Sequence, residues 1–376
     1  MARPSKLLSK RVALPVCALG LIALAAPAAS TASATPASGK PHGPTHKVLK
    51  AGLDNPRQLS FTSDGNLLVA QAGHGSDDPA DCIGSGEDTQ CIGFTGKATK
   101  IYRNGRSVDL MRKMLSAAGP DGSFATGSNG ASQYKLGRPV YAVTSYAPPE
   151  TFPEGIPSTQ AGKLLKRKPW GFVRVAADIT KFEQTYNPDG EEIDSNPYSV
   201  LALKDKVLVA DAAGDTILSV KGNKVRLFHR LEYKNPAFDP VPTVLAKDAR
   251  TGNILVGELH SEIPGEARVW SLNKHGKAVR SWAGFTTVTG VARTRDGTLY
   301  VSELFAGCGF DQIPTCFPGQ VTRVSPNGKR KTVAVPFPAG IVAGHGKVHV
   351  VAFSTSPATG GFGNPAWSGQ IWRIFG

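Results

Sequence analysis

Short apolar runs recur along this chain, and many close on a polar side chain. VLVAD (207–211), NILVGE (253–258) and LYVSE (299–303) share this shape, each followed by small residues and a second alternating run. Period-two alternation over five to eight residues predicts half-buried strands. Aligned on the central valine, the runs fall at Val69, Val143, Val209, Val256, Val301 and Val350, spaced by 74, 66, 47, 45 and 49 residues. A period in the mid-forties, lengthened by insertions, fits a four-stranded propeller blade.

Each unit follows one grammar. A proline-marked entry such as Asn55-Pro56, Asn196-Pro197 or Val241-Pro242 opens a first strand, and a tight turn leads into the aligned second strand. A glycine precedes the third strand (GKATKIY, GEARVWSL, GQVTRVS, GQIWRIF), and Asn-Gly or His-Gly turns lead into the fourth. Asn-Gly between alternating runs is a strong hairpin signal. The last unit ends after its third strand, while residues 46–50 offer a spare strand before the first entry. The expected fold is therefore all-β: a six-bladed propeller spanning 46–376, closed by the N-terminal strand completing the C-terminal blade. Closure of this kind removes exposed strand edges. Helical periodicity is confined to residues 178–185 (DITKFEQT), and the second unit, 119–177, is the least regular.

This order of strands sorts the connections by face. Short turns join strands one to two and three to four on one face. The entries and the longer second-to-third connections (72–95, 147–162 and 305–318) share the other face, where long loops in a compact fold tend to carry function. The residue two past each aligned valine reads Gln71, Ser145, Asp211, Glu258, Glu303 and Ala352. With Asn55, Arg57 and Asn196 from the entries, Gln71, Asp211, Glu258 and Glu303 make a candidate polar mouth. Such a mouth suits a polar ligand or a divalent cation such as Ca2+. The competing structural expectation is that each acid caps backbone N–H groups or pairs with an arginine of its own neighbourhood.

Composition narrows the class. The 376 residues include 42 glycines and 28 prolines and are 40% hydrophobic, which suits many turns and a large core. Residues 1–29 join four cations to an apolar run and an Ala26-Pro27-Ala28 site, the pattern of a secretory signal peptide. Residues 30–45 are rich in Ala, Ser, Thr, Pro and Gly and are expected to be a flexible linker. Apart from Cys17 in the signal, four cysteines remain: Cys82, Cys91, Cys308 and Cys316. In an exported chain their close spacing favours two disulfides, Cys82–Cys91 and Cys308–Cys316, over zinc, for which no C-x-x-C is present. The formal charge is +14, of which four cations belong to the signal. The expected protein is secreted and monomeric, with no membrane span after signal cleavage and no nucleic-acid partner.

Specific catalytic motifs are absent: there is no G-x-S-x-G elbow and no C-x-x-C-H. His345 and His349 read as structural, and His74 and His260, just past second strands, are the better placed histidines. Residues 182–200, FEQTYNPDGEEIDSNPYSV, gather Glu183, Asn187, Asp189, Glu191, Glu192, Asp194 and Asn196. Their glycine falls too early for an EF-hand, and Asn-Pro-Asp-Gly also makes a good turn.

GLDNPRQLSF, the cysteine-bracketed loop, VAADITKFEQTYNPDGEEIDSNPYSV, VLVADAAGDTILSV and GFTTVTGVARTRDGTLYVSEL together resemble the ScyD/ScyE family of exported proteins, over nearly all of residues 47–376. The resemblance implies an NHL-like six-bladed propeller outside the cytoplasm and brings no catalytic mechanism with it. Two positions depart from the family pattern: Ser199 stands where glycine is usual, and Asp215 where asparagine is common. The favoured function is a secreted module that binds an extracellular small molecule, polysaccharide or protein through its loop-rich face. The alternative is a metal-assisted hydrolase or lactonase at the channel mouth, which rests on fold analogy.

Overall fold

The computed structural model describes residues 46–232, 238–344 and 346–375. The expected signal and linker, and His345, lie outside them. Alternating apolar residues build strands throughout. β1 (His46–Leu53) is followed by β2 (Pro56–Phe61), β3 (Leu67–Gln71), β4 (Cys82–Ile83), β5 (Gln90–Ile101), β6 (Ser107–Ala118), β7 (Thr126–Gln133), β8 (Val140–Thr144), β9 (Lys163–Arg167) and β10 (Val173–Asp178). After helix α1 (Thr180–Tyr186) come β11 (Pro197–Ala202), β12 (Val207–Asp211), β13 (Thr216–Lys221), β14 (Lys224–Arg230), β15 (Pro242–Lys247), β16 (Ile254–Glu258), β17 (Ala267–Leu272) and β18 (Ala278–Phe285). The rest are β19 (Val288–Arg293), β20 (Leu299–Gly307), β21 (Pro318–Val324), β22 (Arg330–Ala334), β23 (Ile341–Gly344), β24 (Lys347–Ala352) and β25 (Gly369–Ile374).

Three four-stranded antiparallel sheets run in simple chain order, β11 to β14, β15 to β18 and β19 to β22. A fourth has the order β1-β25-β24-β23, with His46 opposite Ile374 and Val48 opposite Trp372. The aligned valines all lie in second strands, as the repeat predicts. One departure concerns the first two units. β2, β3, β5 and β6 join β7 to β10 in one nine-stranded sheet, which also carries β4 on β5. The join is two residue pairs, Ser116 with Gly127 and Ala117 with Thr126, made where the β5–β6 ribbon continues past the end of β3. The helix expected over 178–185 forms at Thr180–Tyr186 and ends on Asn187 in the left-handed region (φ 37°). No described helix is long and apolar enough to cross a membrane.

The core lies between consecutive sheets. Val143 and Leu164 pack with Val200, Val209 and Leu218; Leu208 and Ile217 with Leu245 and Val256; Val244 and Leu255 with Val291 and Val301. Leu59, Val69 and Ile101 of the first sheet meet Val342, Val351 and Ile371 of the last. Each fully buried aliphatic side chain contributes about 1.5–3 kcal/mol relative to exposure.

First strands approach one another closely. In five of them the pairing register slips just after entry, as between Pro56 and Leu59 or between Val288 and Gly290. Such bulges bend the strand and re-aim one residue. A Cβ on Gly340 would collide with the Leu59 nitrogen, so backbone occupies that space. Ser199, at the corresponding place in β11, uses its hydroxyl instead, accepting the Leu245 N–H at 3.0 Å. Gln58 crosses farther. Its Nε2 donates to the carbonyls of Val200 (2.9 Å) and Leu245 (3.4 Å), and its Oε1 accepts the Val200 N–H (3.1 Å).

Gln58 thus links β2 to β11 and β15. Gln58→Leu removes these bonds and leaves buried backbone groups of Val200 unpaired, at a cost of about 1–3 kcal/mol. Urea unfolding measures it; a change below about 0.5 kcal/mol would show that the bridge adds nothing beyond ordinary surface substitution.

Candidate functional site

The strand-end polar series resolves into a repeated bonding scheme. Gln71 accepts the Asp54 N–H through Oε1 (2.8 Å) and donates from Nε2 to Thr99 Oγ1 (2.6 Å). Glu303 repeats it: Oε2 accepts the Thr286 N–H (2.8 Å), and Oε1 accepts from Thr322 Oγ1 (2.5 Å) and Gln320 Nε2 (3.1 Å). Thr99 faces Val69 and Thr322 faces Val301, so one third-strand position supplies the hydroxyl in both sheets. That position is Leu218 in the third unit, which has no donor. There the shorter Asp211 turns to the entry, accepting Ser195 Oγ (2.7 Å) and the Asn196 N–H (2.6 Å).

Glu258 is the incomplete member. Trp270, at the third-strand position, donates its indole N–H to Oε2 at 2.7 Å. The place taken by Asp54 and Thr286 elsewhere belongs here to Pro240, which has no N–H, and Oε1 makes no hydrogen bond. Burial drives the Glu258 carboxyl up to about 7 against the pull of Trp270 and Arg268, and Asp211 up to about 6 against Ser195, Asn196 and the Gly214 backbone. Glu303 is also raised by burial, opposed by Thr322 and Thr286.

The entry residues hold neighbouring segments together. Asn55 donates to the carbonyls of Gly73 and Gly122, both at 2.8 Å, and accepts the Ala125 N–H at 3.2 Å. Arg57, 6% exposed, donates to the carbonyls of Ser354 (2.8 Å) and Ala125. Asn196 is half-buried, and its side-chain oxygen has no partner. Asp211, Glu258 and Glu303 are 0%, 0% and 3% exposed. Among the described residues, the acids whose oxygens meet, all within 4.8 Å, are instead Glu191, Asp215 and Asp239.

Both cysteine pairs are bonded, Cys82–Cys91 and Cys308–Cys316, each stapling a second-to-third connection. Behind the second staple an aromatic cluster forms. Phe305 packs on Phe310, Phe310 on Phe337, and Phe317 on Trp367, Phe353 and Phe362, with ring centroids 4.9–5.9 Å apart. Phe362 is exposed, and Phe305, Phe310, Phe317 and Trp367 are half-buried. Sequence reading missed this cluster, although the phenylalanines recur in the connections themselves. It also missed the His74–Asp54 contact, 2.5 Å between Nδ1 and Oδ2, which raises the His74 pKa. His260 is buried beside Phe238, and burial lowers its pKa. His349 lies in β24, where burial brings it down to about 4.

The raised carboxyl of Glu258 has a stability consequence. Its pKa rises on folding from an ordinary 4.5 to about 7, so its share of stability is complete below pH 4.5 and is lost as pH rises through 7. Glu258→Gln is expected to flatten the fall in stability across that window by about 2–3 kcal/mol. Denaturant unfolding of both proteins at a series of pH values checks this; parallel curves would exclude it.

No family model matches the chain, and no curated protein does. Among solved structures, a protein of unknown function from Bacteroides thetaiotaomicron is 10% identical, covering 87% of this chain and 74% of its own, with TM-score 0.51. A putative oxidoreductase (glucose dehydrogenase) from Thermus thermophilus is 15% identical, covering 88% and 99%, with TM-score 0.50. What the chain shares with these structures is its fold, a predominantly β, propeller-type arrangement of four-stranded antiparallel sheets.

Proposed function

We propose that the chain is an exported six-bladed β-propeller of the ScyD/ScyE type that binds a ligand or partner through its loop-rich face. The observation that carries this reading is the bonding of the strand-end acids. Asp211 and Glu303 are each taken up by donors of their own sheet rather than presented together as a catalytic set. Support for six blades and their closure comes from β1 on β25, from the narrow β6–β7 join, and from the contact of Leu59 and Val69 with Val351 and Ile371. Two disulfides suit an oxidising compartment. The half-exposed aromatic cluster supplies what a binding face needs, large contact area at small entropic cost.

One observation favours the metal-assisted hydrolase or lactonase: Glu258 is a buried acid with a free oxygen, titrating near neutrality. The two readings separate experimentally. Soluble cell-wall oligosaccharides and phenolic small molecules are titrated into the exported chain by calorimetry. Binding should weaken at least about tenfold in Phe362→Ala/Trp367→Ala, the loss of one aromatic anchor, and be unchanged in Glu258→Gln. Lactone hydrolysis that disappears in Glu258→Gln would replace the binding reading with the enzymatic one.

A further inference from the structure

The β7–β8 and β9–β10 turns lie at the same end of one sheet, because Gln133 pairs with Val140, Val140 with Arg167 and Arg167 with Val173. Both turns are basic. Residues 131–139 (ASQYKLGRP) carry Lys135 and Arg138, residues 163–175 (KLLKRKPWGFVRV) carry five cations, and neither stretch contains an acid. Both also hold apolar side chains in solvent: Trp170 is 100% exposed, Phe172 84%, Leu136 46% and Tyr134 42%. Large apolar side chains gathered in solvent at one place mark a surface for a partner or a membrane.

The β9–β10 tip is built to hold its aromatic residues out. The Gly171 N–H bonds the Lys168 carbonyl at 3.0 Å, Pro169 takes the second turn position, and Trp170, the third, lies in the left-handed region (φ 62°). These are the features of a type II turn, whose third position ordinarily belongs to glycine or asparagine. Arg167 Nε braces the turn by donating to the Gly171 carbonyl at 2.9 Å. Tryptophan at this place suits the backbone poorly and buries none of its own surface, so the fold alone does not account for it.

The cations around the tip are likewise unmatched. Lys166 and Arg174 stand directly opposite in the ladder, a like-charge pairing that disfavours the sheet. Among the described residues neither of them forms an ion pair, and nor does Lys168. The acid of this hairpin, Asp178, is taken by Lys163 at the far end, 2.7 Å away. Phe172 and Arg174 share a cleft with Arg112 and Lys113 of β6, where Asp109 pairs with Arg112 at 3.0 Å. A recess beside Lys166 adds Lys204, Lys206 and Lys221 against one acid, Asp205.

An anionic bilayer fits both halves of this surface. Trp and Tyr favour the headgroup level of a membrane, where an apolar ring and a polar tip are both accommodated. Lys and Arg beside them meet the negative lipid surface. An acidic polysaccharide would match the cations and stack on one face of a ring, but it leaves Leu136 and the rest of a fully exposed tryptophan in water. Immersion covers the whole side chain.

We propose that this end of the sheet docks the exported chain onto an anionic phospholipid bilayer. Trp170 and Phe172 enter the interface with Tyr134 and Leu136 beside them, and Lys166, Lys168 and Arg174 bind lipid phosphates. β9 runs from the 145–162 connection toward this tip, so the docking surface and that connection lie at opposite ends of the strand. Docking therefore stands or falls independently of the reading of the loop-rich face.

The test is co-sedimentation of the exported chain with vesicles, either phosphatidylglycerol mixed equally with phosphatidylcholine or phosphatidylcholine alone. The mixed vesicles should bind at least about tenfold more tightly, an advantage lost in strong salt. Trp170→Gly/Phe172→Ser changes two exposed side chains and gives the turn its usual residue, so its melting temperature should not fall. Its binding to mixed vesicles should drop by at least about tenfold. Lys168→Gln/Arg174→Gln, also exposed, should cut the preference for phosphatidylglycerol by about tenfold. The proposal is overturned if the chain stays in the supernatant with mixed vesicles, if it binds both kinds equally, or if the aromatic variant binds as the parent does. Retention by soluble polygalacturonate in place of vesicles would assign the surface to an acidic polysaccharide and overturn it as well.

Discussion

The close approach of the first strands governs this molecule. Gly340 lies against the Leu59 and Arg57 backbone, Gly290 against the Ala339 carbonyl, and Gly130 against the Gln58 side chain and the Tyr198 carbonyl. At such distances an ordinary side chain has no room. The tolerated solutions are no side chain, a hydroxyl that bonds the next strand (Ser199), or one long amide that bridges two (Gln58). The register slip after five of the entries bends those first strands and re-aims a residue at the approach. The packing of valine and leucine between neighbouring sheets depends on that approach.

Close packing in turn buries backbone at the strand ends, and the polar series answers it. Gln71 and Glu303 have the same reach and bond the same two places, an entry N–H and a third-strand threonine. Asp211 is one carbon shorter, and the third-strand position holds Leu218 opposite Val209, so it bonds the entry residues Ser195 and Asn196 and the Gly214 backbone. Glu258 has a tryptophan in place of the threonine and a proline in place of the N–H donor. One buried oxygen remains unpaired, and burial outweighs Trp270 and Arg268 in raising the proton affinity of the carboxyl. Residues that look alike in sequence thus differ in chemistry because their partners differ.

The acids divide into two populations. Those of the strand ends are dispersed, one per sheet, and are used mainly to satisfy donors. Glu191, Asp215 and Asp239 are instead gathered from the 187–196 loop, the β12–β13 turn and the connection that precedes β15, in a chain whose formal charge is +14. Their concentration against the overall charge distinguishes them.

Much of the fold was legible in the sequence because it rests on local rules. Alternation marked the second strands, Gly-containing turns marked the hairpins, and the short cysteine spacings marked the staples. The β6–β7 join was not legible, since it depends on how far the β5–β6 ribbon continues past β3. The sequence also placed the polar residue after each aligned valine, but not its partner. Partners such as Trp270, Thr322 and the missing donor at Pro240 are set by register between segments that are distant along the chain. Likewise residues 182–200 displayed their acids openly, yet Asp215 and Asp239 joined them only through tertiary folding. Period and turn chemistry are properties of neighbouring residues, so one sequence carries them. Convergence of side chains from separate sheets is a property of packing, and only the three-dimensional structure decides it.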